Sequence, residues 1–292
     1  MDQFTTCGFM PVEKDRLLAY VRKGSSQRAI VFIAGFNQPA QSWLSTIEEV
    51  DRKHTIAVIV RRQEYRKPNR LLGLQSIAQQ QKEVVNIILR LKQSELIGLR
   101  LTIVGHSVGA MLARHCLTHQ QIRDNTDRLV QIAPAPLTWW QFASHLAFWL
   151  RGGLLAAPFA LLALLGITKG FSPPRLSVRG LFSGTIGQNE FKDYCWSLVP
   201  DSALVFLQLV IWYNGTNEWQ KIRATWKGKN LIIGSPTDPT ISSQAVKRLW
   251  VANQTTQDDL YWFTPNTPHC FWLRKGLATS GNFARLRALI EG

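Results

Sequence analysis

Acidic residues are scarce in this chain. Its 292 residues include 19 Asp and Glu against 34 Lys and Arg, which gives a formal net charge of +15. Such an excess favours polyanionic partners, namely nucleic acid, anionic lipid headgroups or acidic substrates. Charged residues of both signs make up only 18% of the chain, whereas hydrophobic residues make up 46%. This composition excludes a disordered chain and indicates apolar surface that needs a partner.

Cysteine is also rare, and its spacing excludes several classes of site. The four cysteines form no C-x-x-C pair, which argues against a zinc ribbon, a thioredoxin-type site and an extracellular disulfide framework. The first ten residues lack the basic start and the apolar stretch of a secretory signal peptide. We therefore expect a cytoplasmic protein with reduced thiols, either free in the cytosol or peripherally bound to a membrane that faces it.

Short apolar runs alternate with helical patterns along most of the chain. Each run is continuous rather than alternating, as expected for strands buried on both faces of a parallel sheet. The predicted strands cover residues 28–35, 55–62, 99–106, 128–136, 229–234 and 260–264, with helices near 71–91, 241–253 and 280–291. This order predicts an α/β protein with a mostly parallel, doubly wound sheet.

The alternation stops between residues 137 and 226, where Trp, Leu and Phe are abundant. We therefore predict an α/β core in two parts, residues 1–136 and 227–292, separated by a helical cap at residues 137–226.

One segment carries a recognisable chemical signature. The pattern G-x-S-x-G occupies residues 105–109, directly between a predicted buried strand and a predicted helix. A turn this tight forces strained backbone angles on Ser107 and lifts its hydroxyl above the sheet. The N–H groups at the start of the helix can then stabilise a developing oxyanion. The pattern alone also fits a structural turn, so its placement after a strand is what indicates a nucleophile.

A serine nucleophile needs a general base, and His269 is the best placed of six histidines. It lies in a loop after the last predicted strand, at the end of the sheet where Ser107 is expected. The others are set aside by position: His106 inside the elbow, His115 and His119 on the following helix, His54 before a strand and His145 in the insertion. The alternative for His269 is a capping or core role.

The acid that orients this base is expected at the end of a later strand. Asp238 follows the predicted strand 229–234 in a turn bracketed by prolines, whereas the run at 128–136 ends without a carboxylate. The chain order Ser107, Asp238, His269 is the one that accompanies a strand–Ser–helix elbow. Asp238 could instead only cap the helix predicted near residue 241.

With these residues in place, the chain resembles the α/β-hydrolase fold serine hydrolases that carry an inserted cap. The resemblance rests on the elbow, the Asp238 turn, the His269 loop and the strand order, and no motif covers the cap. It implies that Ser107 attacks an acyl carbonyl while His269 takes its proton, and that Asp238 holds His269 in the right tautomer. It requires no metal and no organic cofactor.

The same resemblance implies an oxyanion hole made of two backbone N–H groups, those of Val108 and Phe36. In the loop that contains Phe36, family members usually carry His-Gly, whereas this chain has Ala34-Gly35. Because the donor is a backbone group, the alanine does not by itself remove it.

A long apolar segment lies in the predicted cap. Residues 139–168 contain one charge, Arg151, and residues 152–168 contain none. This is just short of the ~20 residues that a membrane-spanning helix needs, and Pro158 would kink a helix there. Three alternatives remain: a buried pair of cap helices lining an acyl pocket, a lid that lies in or dips into a membrane, and a full membrane span.

The basic residues bear on the same question. Residues 61–70 carry five Arg or Lys in ten positions, in a predicted loop that is either simply solvated or in contact with anionic lipid. No nucleic-acid-binding motif accompanies them, which argues against a nucleic acid partner.

The sequence therefore leads to a serine ester hydrolase, esterase- or lipase-like, that acts on an apolar acyl ester and could do so at a membrane surface. Two alternatives stay open. One is other chemistry on the same scaffold, such as C–C or thioester hydrolysis or a lyase step. The other is a catalytically silent membrane-binding module.

Overall fold

A computed structural model describes residues 3–14, 16–61, 74–143, 154–168, 170–172, 198–211, 213–238, 240–251, 258–262, 269 and 280–292. Eight strands in this part of the chain form a single sheet: β1 (Met10–Glu13), β2 (Leu17–Arg22), β3 (Arg28–Ile33), β4 (Thr55–Ile59), β5 (Arg100–His106), β6 (Thr126–Ile132), β7 (Lys229–Gly234) and β8 (Asp258–Trp262).

The strands lie in the order β1-β2-β4-β3-β5-β6-β7-β8. Strand β2 pairs antiparallel with both β1 and β4. The remaining six strands, in the sheet order β4-β3-β5-β6-β7-β8, are parallel. The carboxyl ends of β3, β5, β7 and β8 therefore meet at one edge of the sheet, which is where loops carry functional groups in such folds.

Helices cover both faces of the sheet. They are α1 (Gln3–Thr6), α2 (Leu44–Ile47), α3 (Ile77–Gln93), α4 (Val108–Cys116), α5 (Gln120–Arg123), α6 (Trp139–Ala143), α7 (Leu154–Leu164), α8 (Ala203–Ile211), α9 (Thr216–Thr225), α10 (Ser243–Val251) and α11 (Ser280–Glu291), with a short 3-10 helix at Ala40–Trp43.

Neighbouring residues of β3 belong to two separate apolar cores. Val31 packs in a cluster with side chains of α3 and α4, and Phe32 packs in a second cluster with Trp43 and side chains of α11. Successive residues of a strand point to opposite faces of the sheet, so both faces of this central strand are buried. The predicted fold class, an α/β protein with a mostly parallel, doubly wound sheet, is confirmed.

The antiparallel strands β1 and β2 were not predicted. Strand β1 is four residues long, contains Pro11 and is mostly exposed at the edge of the sheet. Such a segment has neither the apolar run nor the alternation on which the other predictions rest. The strand predicted at 128–136 also ends earlier, at Ile132, because Pro134 and Pro136 have no N–H to donate to a neighbouring strand.

Between β6 and β7, the described residues form the four helices α6 to α9 and two isolated antiparallel bridges. Helices α6 and α7 both pack on α8. The assignment of residues 137–226 as a separate cap remains a prediction. None of the helices in the described ranges is long and apolar enough to cross a membrane, α7 included.

Candidate active site

Ser107 alone makes the turn between β5 and α4. Its φ is 53° and its ψ is −119°, a combination that residues other than glycine rarely adopt. The residue is buried except for a small part of its surface. A strained serine between a buried strand and a helix N-terminus is the geometry expected of a nucleophile elbow.

The two glycines of the elbow make this turn possible. A Cβ atom at Gly105 would overlap the backbone of Ala110 in the first turn of α4, and one at Gly109 would overlap the carbonyl oxygens of Ile33 and Ala34. Helix α4 can therefore start directly above the end of β3 only because both positions lack a side chain.

Asp238 and His269 are joined by a hydrogen bond. Nδ1 of His269 donates to Oδ2 of Asp238 at 2.7 Å, and both side chains are almost completely buried. The other carboxylate oxygen, Oδ1, accepts from the backbone N–H groups of Thr240 at 2.7 Å and Ile241 at 2.9 Å. Asp238 thus closes the turn before α10 with one carboxylate oxygen and holds the imidazole of His269 with the other.

His269 also contacts the elbow. Its backbone carbonyl oxygen lies 3.0 Å from Nε2 of His106, and the two imidazole rings are 4.7 Å apart between centroids. His106 directly precedes Ser107, so the pair Asp238–His269 lies beside the turn. Within the described residues, no hydrogen bond joins the Ser107 hydroxyl to His269.

The two predicted oxyanion donors follow neighbouring strands. Strands β3 and β5 pair in parallel with Ile33 opposite Gly105, so the loop after β3 lies beside the elbow. Val108 is the first residue of α4, where backbone N–H groups have no partner within the helix. In the part of the chain that the structure describes, the N–H groups of Phe36 and Val108 donate to no other group.

Gln38 and His106 also belong to this site, and sequence reasoning did not assign them to it. Oε1 of Gln38 accepts from the N–H of Gly35 at 3.0 Å and lies 2.9 Å from Nδ1 of His106. His106 therefore bridges the loop after β3 and the backbone of His269. Complete burial, together with the neighbouring His269, lowers the pKa of His106 well below its usual range. The only signal in the sequence was that His106 lies next to Ser107.

One prediction about charge needs correction. Arg61 begins the basic segment 61–70, and residues 62–70 lie outside the described part of the chain. Arg61 is buried, so it is neither solvated nor available to lipid as proposed for that segment. A buried guanidinium requires hydrogen-bond acceptors and a counter-charge, and Asp201 supplies the charge at 3.3 Å.

The geometry suits acyl transfer. It combines a strained serine, an imidazole held by a buried carboxylate and two N–H groups, one in the loop after β3 and one at the start of α4, that have no acceptor in the described part of the chain. Within the described ranges, no group of three or more His, Cys, Asp and Glu side chains is arranged to hold a metal ion.

A family model described as the alpha/beta hydrolase family matches residues 30–278. The chain belongs to this family. The match begins within β3, extends beyond β8 and includes the elbow, Asp238 and His269. No curated protein sequence matches this α/β-hydrolase.

Solved structures with the same fold are numerous and distant in sequence. A putative aryl esterase from Burkholderia cenocepacia is 13% identical, with a TM-score of 0.66 over 97% of this chain and 98% of that one. An esterase from a Rhodococcus species is 12% identical, with a TM-score of 0.65 over 98% and 99%. A bromoperoxidase from Bacillus anthracis is 14% identical, with a TM-score of 0.65 over 95% and 97%. At these identities the likeness establishes the fold alone.

Proposed function

We propose that this α/β-hydrolase is a serine ester hydrolase in which Ser107 is the nucleophile, His269 the general base and Asp238 the orienting acid. The observation that carries the proposal is the buried hydrogen bond between Asp238 and His269 beside a strained serine. A carboxylate on Nδ1 leaves Nε2 of His269 unprotonated, as a base for a serine hydroxyl requires.

The reaction proceeds in two halves. Oγ of Ser107 attacks the acyl carbonyl carbon while its proton moves to Nε2 of His269, and the N–H groups of Phe36 and Val108 hold the oxyanion. When the C–O bond breaks, His269 returns the proton to the leaving alcohol. Water then attacks the acyl-enzyme by the same route, which releases the carboxylic acid and regenerates Ser107.

Ester bonds are the proposed substrate class because two of the three neighbours described above are named esterases. The third is named a bromoperoxidase, which illustrates that this fold carries more than one chemistry. Thioester or C–C hydrolysis and lyase chemistry would use the same elbow and remain the alternative enzymatic functions.

An apolar substrate at a membrane surface is supported by α7. Among the side chains of this helix that the structure describes, the fully buried ones are small, those of Ala156, Ala160 and Ala163, and Leu164 is partly buried beside them against the apolar cluster that includes α8. Five large apolar side chains of the helix and of the following turn are exposed: Phe159, Leu161, Leu162, Leu165 and Ile167. An apolar patch of this kind marks a surface that binds a partner or a membrane.

An anionic bilayer is the partner that fits both the apolar face and the charge of the protein. The net charge of +15 attracts anionic lipid, where each Lys or Arg near the surface contributes about 1 kcal/mol. Trp139 and Trp140 are exposed on α6, and the guanidinium of Arg248 lies 4.9 Å above the Trp140 ring. Tryptophan beside arginine is typical of the membrane–water interface. We therefore place α7 as a lid that lies in the plane of the membrane.

Covalent labelling by a fluorophosphonate probe tests the proposal. We expect wild-type protein to react, and Ser107→Ala and His269→Ala not to react, because the probe requires an activated serine. Ser94→Ala, which removes an exposed hydroxyl at the end of α3, is the matched control and should react normally. Hydrolysis of p-nitrophenyl esters of two to sixteen carbons then defines the acyl preference.

Repeating the labelling with vesicles tests the membrane lid separately from the hydrolase activity. A rise in labelling with anionic but not zwitterionic vesicles supports the membrane lid. Folded wild-type protein that reacts with no probe in either condition would refute the hydrolase and leave the catalytically silent membrane-binding module.

A further inference from the structure

The loop that carries the oxyanion donor Phe36 is held by a buried charge from the core. Nη2 of Arg61 donates a hydrogen bond to the carbonyl oxygen of Gly35. That carbonyl and the Phe36 N–H belong to the same planar trans peptide unit, in which the C=O and N–H bonds point in opposite directions. A guanidinium that fixes the carbonyl therefore fixes the direction of the N–H.

Asp201 holds Arg61 in this position. Its Oδ2 accepts from Nη2 of Arg61 at 3.3 Å and from the N–H of Asn37 at 3.1 Å. Its Oδ1 accepts from Nε2 of Gln80 at 2.9 Å and from the N–H of Ser202 at 2.7 Å. Asp201 is 0% and Arg61 1% exposed, so this ion pair is fully desolvated and its acceptor oxygens are fully used.

Asn37 connects the same loop to Phe171 and Val199, which lie next to Asp201 in the fold and in the chain. It has a φ of 57°, a left-handed conformation that asparagine tolerates better than most residues. Its side-chain amide donates to the carbonyl oxygens of Phe171 at 2.8 Å and Val199 at 2.9 Å. The backbones of Phe171 and Asp201 in turn form a two-bond antiparallel bridge.

Aromatic contacts repeat this connection. The ring of Phe36 lies 5.7 Å from that of Phe171 and 6.3 Å from that of Phe206 on α8. The residues Phe171, Val199, Asp201 and Phe206, which contact Phe36 or Asn37 of this loop, all lie in the part of the chain predicted to form the cap. Because α7 packs on α8 and Phe206 of α8 lies beside Phe36, the outward apolar helix and the residue that carries the oxyanion donor contact the same helix.

A general stabilising function does not account for this ion pair. A buried ion pair usually contributes no more to stability than well-packed apolar residues of the same volume. What apolar residues could not do is bond the Gly35 carbonyl. A positively charged donor bonded to that oxygen also polarises the peptide and makes the Phe36 N–H a better hydrogen-bond donor. An oxyanion hole requires such a donor.

We infer that Arg61 is a positioning residue that directs the Phe36 N–H at the oxyanion. Asp201, in the predicted cap, holds Arg61 and so makes this direction depend on the cap. The inference rests on the proposed function, since it presupposes an oxyanion at Ser107. It assigns to the cap a part in catalysis as well as in substrate binding: the donor is correctly directed only while Asp201 is in place.

Arg61→Met and Asp201→Leu, singly and together, test the inference. Arg61→Met alone leaves a buried carboxylate unpaired, which can prevent folding. The double variant removes both charges, so we expect it to fold in either case. For the double variant we expect kcat for a short p-nitrophenyl ester to fall roughly 100-fold, the usual effect of losing one oxyanion donor. KM should change little, because the ground-state carbonyl does not depend on this N–H.

Two further variants sharpen the comparison. Arg61→Lys keeps a donor for the Gly35 carbonyl and should recover part of kcat. Arg128→Met is the matched control, because Arg128 also donates to a backbone carbonyl, that of Leu289 at 3.2 Å, but at the amino end of β6. It should leave kcat and KM unchanged.

Binding of an alkyl boronic acid separates positioning from mere stabilisation. Boronic acids form a tetrahedral adduct with the serine, so their affinity should fall in parallel with kcat in the double variant. Unchanged kcat in a folded variant, or a lower kcat with unchanged boronate affinity, would overturn the inference while the hydrolase itself stands. Wild-type protein without ester hydrolysis or boronate binding would instead refute the proposed function, and the inference with it.

Discussion

Nε2 of His106 lies 3.0 Å from the backbone carbonyl oxygen of His269. This contact places the predicted base beside the predicted nucleophile, because Ser107 is the next residue after His106. It also connects three parts of the chain that follow different strands: the elbow after β5, His269 after β8 and, through Gln38, the loop after β3. The arrangement of the candidate site thus depends on a histidine that has no place in the proposed chemistry.

Asp238→Asn tests the orientation of the base. The amide keeps the shape of the carboxylate but presents its NH2 group to Nδ1 of His269, which favours the wrong tautomer. We expect kcat to fall by about 10⁴-fold with little change in KM, as in other triads. Thr240 and Ile241 donate to Oδ1, so the amide oxygen should remain at that position and the fold should survive.

The control for Asp238→Asn is Asp124→Asn, an exposed change at the end of α5, which should leave the kinetics unaltered. A variant Asp238→Asn with wild-type kcat would contradict the assignment of Asp238 as the orienting acid.

The pKa of His106 predicts how stability depends on pH. Burial keeps this histidine neutral in the folded protein to a pH well below 6.5, whereas the unfolded chain protonates it near 6.5. Below that pH the unfolded state binds the extra proton, so the free energy of unfolding decreases as the pH falls. The slope from this one group approaches about 1.4 kcal/mol per pH unit.

Urea unfolding between pH 5 and 8 measures this slope, and His106→Gln should reduce it. Burial also lowers the pKa of His54, so His54→Gln should remove a separate part of the slope and the double variant the most. An identical slope in wild-type protein and His106→Gln would show that His106 titrates alike in both states.

Gly109→Ala tests the close approach at the elbow. The added Cβ would overlap two backbone carbonyl oxygens, those of Ile33 and Ala34, and backbone gives way less readily than a side chain. We expect a loss of about 1–3 kcal/mol in the free energy of unfolding and of most fluorophosphonate labelling, because the loop that carries Phe36 begins at Ala34.

Gly166→Ala provides the comparison for Gly109→Ala. Gly166 has a φ of 71° and open space around its Cα, so alanine there costs only the backbone strain, about 1 kcal/mol. Equal labelling in Gly109→Ala and wild-type protein would mean that the elbow tolerates a side chain and is not tightly packed.

The sequence allowed the framework of the site to be predicted because each clue was local. A continuous apolar run predicts a parallel strand, and the residues directly after such runs included Ser107 and Asp238. His269 could be selected because it follows the last strand. In the structure Asp238 and His269 are hydrogen-bonded, and both remain predictions as catalytic residues.

The support of the site could not be predicted, because it joins residues far apart in the chain. Arg61 and Asp201 are 140 positions apart, and Arg61 belongs to a segment whose composition predicts an exposed basic loop. Only the fold brings Asp201, a residue of the predicted cap, next to Arg61, which follows β4. The same holds for Gln38 and His106, since no pattern distinguishes a buried bridging histidine from one that merely fills the turn.

The exposed apolar side chains of α7 and of the turn after it provide a test of the proposed membrane contact. In the triple variant Leu161→Gln, Leu165→Gln, Ile167→Gln, three side chains that are 55%, 64% and 66% exposed lose their apolar character. Each would bury roughly half to most of its surface in a bilayer, at about 1 kcal/mol or more. We therefore expect binding to anionic vesicles, measured by co-sedimentation, to fall at least about 100-fold.

Hydrolysis of a short soluble ester by the triple variant should stay unchanged, because the three side chains supply no group to the proposed mechanism. Leu99→Gln is the matched control: Leu99 is 69% exposed but lies just before β5, at the opposite edge of the sheet from Ser107. It should bind vesicles like the wild type. Equal vesicle binding by the triple variant and wild-type protein would exclude α7 as the membrane contact and favour a protein partner for this face.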